Sequence, residues 1–479
     1  MGLSLEPVLT RADVERIHEQ SLDLLERVGI DYKTPRALAI LEQAGCPVDH
    51  DGTRLKLPRD VVEWALQQAP RLVRLAARDP ARDVILDGRR PHHTTDSQGT
   101  QAVDLATGER RASTARDLER GLLLADALDR IEIVNVMVAA SDVPAHVRTV
   151  QHMATAFRHT SKPVRSGVLH PGQVPYLVEL VCVALGGEFR PIFSATDCTI
   201  SPLMHDGPMT EACIELVRLG VPILIYPMPL SGGTAPLTRA GTVLLHNVEV
   251  LSAVTLFQLV RPGAPLIYGT GASQMDMRTG RYGGGAGEYG LKLALHEMAR
   301  FYHLPTNLWG LSTASDELDA RYGHEATASV LLAALAGADE IYSVGLLGSA
   351  QILSLEKMVL DNHLIHQVEV MTRPFLAGDA QLQADLIAEV GIGGHYLSRR
   401  ETRAALRQEY VEPWPPAGKT ALQLARAEAF EILERHRPPP LPDGAPEAMD
   451  AIVAAAGRAL APPGWRHKAA GPETEGRSA

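Results

Sequence analysis

The chain has 479 residues, 45% apolar and 22% charged, which is ordinary globular usage with ample material for a large core and added pieces. Its formal charge of −11 excludes the basic footprint that a nucleic-acid backbone requires; it tolerates or mildly attracts a cation, although most surface charge is simply solvated. Cys46, Cys182, Cys198 and Cys213 lack CxxC or secreted-type spacing, the N-terminus lacks a signal-peptide pattern, and the long apolar runs are broken by Gly, Pro or charge, so a cytoplasmic protein with reduced thiols and no membrane span is expected.

The first 70 residues read as punctuated helices. Thr10 with Asp13 makes a capping-box-like start ahead of the apolar face of Ile17, Leu22, Leu24 and Leu25. Thr34-Pro35 opens a second helix that Gly45 closes, and Pro58 opens a third through Val61, Val62, Trp64 and Leu66. Residues 100–113 read as a hairpin turning at Ala106-Thr107-Gly108. Together these pieces define an N-terminal segment, 1–115.

From about residue 115, short apolar runs alternate with long helical stretches. The predicted strands are Ile131–Val138, Pro163–Val168, Pro191–Thr196, Val221–Tyr226, Ala264–Tyr268, Thr306–Gly310 and Glu340–Val344. Continuous rather than alternating apolar character means that both faces are covered, as in a parallel sheet. Seven β/α units predict an α/β fold, a (β/α)8 TIM-type barrel over 116–400, with one strand unplaced and a doubly wound sheet as competitor. Helices around Thr402–Glu409 and Thr420–Arg435 close the outside within 401–460. Pro438-Pro439-Pro440 and Pro442 mark a linker, and 461–479 has the composition of a disordered tail.

Several stretches occur in a telling order. Ser231-Gly232-Gly233-Thr234-Ala235-Pro236-Leu237-Thr238 precedes a helix containing Asn247-Val248-Glu249-Val250-Leu251, then Arg261-Pro262-Gly263-Ala264-Pro265, Tyr268-Gly269 and Asp276-Met277-Arg278-Thr279-Gly280. Later come Ala336-Gly337-Ala338-Asp339, Gly345 and Glu356-Lys357-Met358-Val359-Leu360-Asp361-Asn362, with Ser201-Pro202-Leu203 and Gly393-Gly394-His395-Tyr396-Leu397 as smaller matches. Over roughly residues 8–435 the chain resembles the trimethylamine methyltransferase family. The resemblance implies a barrel enzyme that moves a methyl group from a methylated amine to cob(I)alamin on a separate corrinoid protein. The best-known trimethylamine enzymes carry pyrrolysine, which is absent here, with Gly283-Gly284-Gly285-Ala286-Gly287-Glu288 following the Asp-Met-Arg stretch. The resemblance therefore points to a quaternary amine, such as glycine betaine, rather than to trimethylamine.

That chemistry asks little of acid–base residues. A quaternary ammonium has no lone pair and leaves as a neutral amine, so the protein need only bind, orient and desolvate the reactants. The sequence has no G-x-S-x-G, HExxH or Walker loop, and no residue is singled out as catalytic. Phe193, Tyr226, Tyr268, Trp309 and Tyr342 lie in or at the ends of predicted strands and are the candidate cation–π cage; for each, packing between barrel and helices is the alternative. Arg278, Arg281 and the glycines at 283–285 are candidates for a substrate carboxylate, against a solvated surface loop or a phosphate site. Glu288 matches a family glutamate in this loop; here it is expected either to pair with Arg278 or to cap the helix starting near Tyr289, and His324 starts a helix within reach of the pocket or is a satisfied first-turn histidine.

Other polar residues read more plainly. His363 replaces an acidic residue common in the family, either as a surface swap or as altered substrate choice, and His395 orders a loop or touches substrate. Asp197 and Cys198 read as an N-cap and a buried thiol; Cys198 and His205 lack zinc-type clustering, so no bound metal is expected. Asn247 and Glu249, mid-helix, satisfy buried loop backbone groups. The partners expected are a small methylated amine, a corrinoid protein and further copies of the chain. Competing functions are a barrel acting on another methyl donor and a non-catalytic protein that senses methylated amines.

Overall fold

The computed structural model describes residues 3–49, 52–283, 287–409, 414–416 and 418–463. Eight strands, parallel to both neighbours, close a barrel in chain order: β1 (His92–Thr95), β2 (Ile131–Asn135), β3 (Val164–Gly167), β4 (Phe193–Asp197), β5 (Ile223–Ile225), β6 (Leu266–Gly269), β7 (Thr306–Trp309) and β8 (Glu340–Val344). Each strand feeds a helix: α1 (Ala115–Ala127), α2 (Arg148–His159), α3 (Val174–Leu185), α4 (Gly207–Arg218), α5 (Arg239–Val260), α6 (Gly287–Phe301), α7 (Ala320–Ala336) and α8 (Leu355–Met371).

All seven expected strands are present. The eighth is β1, upstream of the hairpin, so the barrel begins within the segment assigned to residues 1–115. Its sequence, His-His-Thr-Thr, shows no apolar run, yet all four residues are buried. Neighbours satisfy the polar groups: His92 meets Glu132 at 3.0 Å and the Ile85 carbonyl at 3.2 Å, and Thr95 Oγ1 accepts the Asn135 N–H at 2.8 Å.

The ends of the barrel differ. At the N-terminal end a hairpin of Val73–Leu75 and Val84–Leu86 packs on inward-facing Ile133, Leu224 and Ile267 and seals it. At the C-terminal end the expected hairpin, Gln101–Val103 with Arg110–Ala112, joins Leu346–Leu347 and Ile352–Leu353 in a small sheet. Among the described residues, this second end is the one open to a ligand.

Helix α5 is long and apolar enough to cross a membrane, but 83% of its most apolar window is buried inside the protein. It lies between the barrel and the N-terminal helices Arg11–Arg27, Pro35–Gln43 and Arg59–Gln68. Its carboxylate Glu249 gathers the loop after β4, accepting bonds from Thr199 Oγ1, Ser201 Oγ and the Leu203 N–H at 2.6–2.9 Å. Asn247 instead bonds side chains, Ser21 at 2.8 Å and Tyr302 at 2.9 Å. Helices Ala421–Arg435 and Ala445–Ala459 pack outside, against α8 and against α2 and α3. Residues 464–479 of the expected tail lie outside the described residues.

Candidate active site

Barrel register decides which side chains reach the interior. Arg165 of β3 is level with Ser194 of β4, and Trp309 of β7 is level with Tyr342 of β8. Residues sharing a level on adjacent strands share a face. These inward positions line a cavity of about 600 Å3 at the open end, a volume suited to a small molecule.

Its floor is ionic. Arg165 donates to both oxygens of Glu340, at 2.8 and 2.7 Å, and to Ser194 Oγ at 3.0 Å. Asn307 donates to Glu340 at 2.7 Å, leaving its own amide oxygen without a partner among the described residues. A buried amide oxygen without a partner is an acceptor available to a ligand or an ordered water.

The walls are aromatic. Tyr226 and Tyr342 meet edge to face at 5.6 Å, and Tyr289 tilts against Trp309 at 5.0 Å. Tyr282 completes the ring, its hydroxyl donating to the Gly271 carbonyl at 2.6 Å. Glycine is required behind Tyr226: a Cβ on Gly269 would lie 2.4 Å from Tyr226 Cδ2, and one on Gly271 would lie 2.2 Å from the Pro227 oxygen.

Acids and one lysine sit among the rings. Lys292 donates to the Thr270 carbonyl at 2.7 Å, lies 3.4 Å from the Tyr342 hydroxyl and 3.9 Å from Glu288, which also meets Ser273 Oγ. Burial pulls the Lys292 ammonium down to about 8, against the pull of Glu288 and Asp96. Burial raises the Asp96 carboxyl, against its bond from the Ser97 N–H. Arg165 is paired with Glu340 and Lys292 lies beside Glu288, and Asp96 adds a further buried carboxyl to the lining. Cys198, also in the lining, has its thiol pushed up to about 12 by burial, so it is not a thiolate nucleophile near neutral pH. Backbone strain gathers here: Gln98, Ser343, Ser349 and Ala350 all line the cavity with φ between 55° and 94°. Among the described residues no group of three or more His, Cys, Asp or Glu is placed to hold a metal ion.

Of the residues singled out from sequence, Tyr226, Trp309, Tyr342, Glu288 and His324 line this cavity. Phe193 and Tyr268 lie outside it. Ile225, not Tyr226, is level with Tyr268, so the two tyrosines point to opposite faces of the sheet. Tyr268 instead donates to Asn247 of α5 at 3.1 Å. Phe193 is level with Val164, facing outward into the core opposite Ser194 and Arg165. Arg278 and Arg281 are exposed on a turn closed by the Arg278 N–H donating to Asp276 at 2.8 Å, away from the cavity lining. Gly283 lines the cavity, whereas Gly284 and Gly285 lie outside the described residues. His363 stacks on Trp414 and meets Glu428 at 3.0 Å, while His395 is exposed. Asp197 is no N-cap, a role held by Asp206, but a fully buried carboxyl. Sequence reading passed over Arg165, Lys292, Asp96, Tyr282 and Tyr289. The readable signals were a lone charge inside an apolar strand at Arg165 and the i,i+4 spacing of Glu288 and Lys292.

Residues 4–460 match the model of the family described as trimethylamine methyltransferase. A trimethylamine methyltransferase, MttB, of Desulfitobacterium hafniense is 33% identical over 452 residues, covering 91% of each chain. A glycine betaine methyltransferase of Desulfitobacterium hafniense is 28% identical over 468 residues, covering 94% of this chain and 97% of its own. The crystal structure of a hydroxylamine MtmB complex aligns with a TM-score of 0.51 at 12% identity, over 95% of this chain and 88% of that one, a likeness of fold.

Proposed function

The chain belongs to the trimethylamine methyltransferase family and is a methyltransferase, and from that premise we propose that it takes a methyl group from a quaternary amine, such as glycine betaine, for cob(I)alamin on a separate corrinoid protein. The observation that carries this reading is the cavity wall: Tyr226, Tyr342, Trp309, Tyr289 and Tyr282 surround a space that also holds the buried carboxyl of Asp96. Ring faces attract an onium by ~0.5–2 kcal/mol each, and more strongly where water is excluded.

Breaking the C–N bond leaves its electron pair on nitrogen, giving a neutral tertiary amine. No proton is therefore required there, which accords with a site whose tyrosines are held neutral by burial. A corrinoid protein docked at the mouth would supply the electron pair for methyl transfer. The chain's own share is to hold the onium against the rings, exclude water and present one methyl to the mouth. A cavity of about 600 Å3 suits a small amine with its acceptor approaching from outside. Exposed Leu169 and Met228 on the cavity lining, with Leu237 and Met277 nearby around Gly232, offer an apolar rim for that approach.

The test is product analysis with a reduced corrinoid protein and a panel of glycine betaine, choline and trimethylamine. Dimethylglycine or dimethylethanolamine should appear, with no dimethylamine. Turnover of trimethylamine alone would refute the quaternary donor. Binding of every quaternary amine without any turnover would favour the sensing alternative.

A further inference from the structure

The cavity floor carries a selectivity that the aromatic wall does not. Asn307 of β7 is level with Glu340 of β8, and its Nδ2 donates to Glu340 Oε2 at 2.7 Å. That orientation is forced: both Glu340 oxygens already accept from Arg165, and a paired carboxylate has no hydrogen to give. The amide oxygen is therefore turned away from Glu340, buried and without a partner among the described residues. Asn135 of β2, also in the lining, is fixed in the same sense. Its Nδ2 donates to Thr94 Oγ1 at 3.2 Å and to the Thr95 carbonyl at 2.5 Å. Both of its amide hydrogens are spent inside the protein, and the oxygen is what remains. Arg165, level with Asn135, gives its fork to Glu340 and its Nε to Ser194.

Two amides on this floor thus offer acceptors, and the far end of a ligand must answer them. A hydroxyl donates to such an oxygen and recovers the cost of burying it. A carboxylate is an acceptor alone; set there, it opposes its lone pairs to those of Asn307, with the Glu340 carboxylate behind. The spacing agrees with a small amino alcohol. Trp309 and Tyr342 lie two residues beyond Asn307 and Glu340 on the same strands, hence on the same face. Side chains so related stand roughly 6–7 Å apart along a strand. An onium held by those rings reaches Asn307 through a short alkyl linker and a hydrogen bond.

We propose that Asn307 sets the choice among quaternary amines, favouring a hydroxyalkyl ammonium of the choline kind, whose hydroxyl donates to Asn307 Oδ1, over a carboxylated betaine. The inference rests on the onium reading given above. It is tested by calorimetry on the full chain with tetramethylammonium, choline, propyltrimethylammonium (a methyl in place of the hydroxyl) and glycine betaine. Choline should bind the wild type about tenfold more tightly than propyltrimethylammonium. It should also bind more tightly than glycine betaine. In Asn307→Ala the advantage of choline over propyltrimethylammonium should vanish, while tetramethylammonium binds as before. Tetramethylammonium reports on the onium reading by itself: if it does not bind, that reading fails and this one with it. If it binds and choline has no advantage in the wild type, the hydroxyl assignment alone falls, and the amide oxygen serves an ordered water. An advantage that survives in Asn307→Ala overturns the proposal. So does tighter binding of glycine betaine than of choline, which would put the far end of the ligand on Arg165. Should Asn307→Ala fail to fold, the wild-type ligand series decides.

Discussion

Arg165, second residue of β3, and Glu340, first residue of β8, meet across the barrel interior in a two-pronged ion pair, their side chains 1% and 0% exposed. The pair stands where barrel cores ordinarily hold branched apolar residues. Removing one member strands the other in a dry interior, whereas exchanging both for apolar groups removes the desolvation cost with the attraction. Arg165→Met should therefore cost about 3–5 kcal/mol, and Arg165→Met with Glu340→Leu much less. Apparent Tm at one scan rate reads both. Losses that simply add in the double variant would show that the two side chains are not coupled.

The ring wall makes a separate prediction. Trp309→Leu or Tyr342→Leu should weaken an onium by ~0.5–2 kcal/mol, about 2–30-fold in Kd. Gly271→Ala should act in the same direction without removing a ring, because its Cβ would lie 2.2 Å from the Pro227 oxygen and 2.9 Å from Tyr226 Cε1 and would displace that ring. Calorimetry on choline and on its neutral carbon isostere, 3,3-dimethylbutanol, separates the causes. Equal losses for the two ligands would make the rings packing surfaces and not a cation cage.

How much of this was legible beforehand follows from what a pattern can carry. Seven strands announced themselves as apolar runs because both their faces are covered. His92–Thr95 did not, because its polar atoms are satisfied by Glu132 and Asn135, on the next barrel strand, and by the Ile85 carbonyl of the sealing hairpin. The aromatic wall was legible by residue type but not by face: Tyr226 and Tyr268 end adjacent strands alike, and a one-residue offset in register sends one into the cavity and the other into α5. Lys292 and Arg165 were hidden for another reason. A charge in an apolar setting reads as an interruption until its partner is known.

Asp197 offers a test in pH. Both its carboxylate oxygens are buried without a hydrogen-bond partner among the described residues, the nearest base being His205 at 3.9 Å. Burial raises this carboxyl from 3.8 to about 7, so the folded state holds its proton more tightly than the unfolded chain. Its contribution to stability is fully present below 3.8 and is lost as pH rises through about 7. Asp197→Asn keeps the shape without the charge. It should change Tm little at pH 4 and raise it at pH 8, and a difference independent of pH would contradict the shift.

Lys292 carries the sharper consequence for function. It is protonated below about 8, where its charge offsets Glu288 and Asp96 beside the rings. Above that value the proton leaves and the cavity becomes more negative. Affinity for tetramethylammonium should therefore rise through pH 8, on the order of tenfold or ~1.4 kcal/mol. Tyr226, Tyr282 and Tyr342, which also line the cavity, are held above their ordinary range by burial and stay neutral across the window. Asp96 is raised by burial too, and Lys292→Met isolates its contribution. That variant should bind at pH 7 about as tightly as the wild type does at pH 9, with the inflection near 8 gone. A wild-type profile flat from pH 7 to 9, or an inflection surviving in Lys292→Met, would place the controlling charge elsewhere in the cavity.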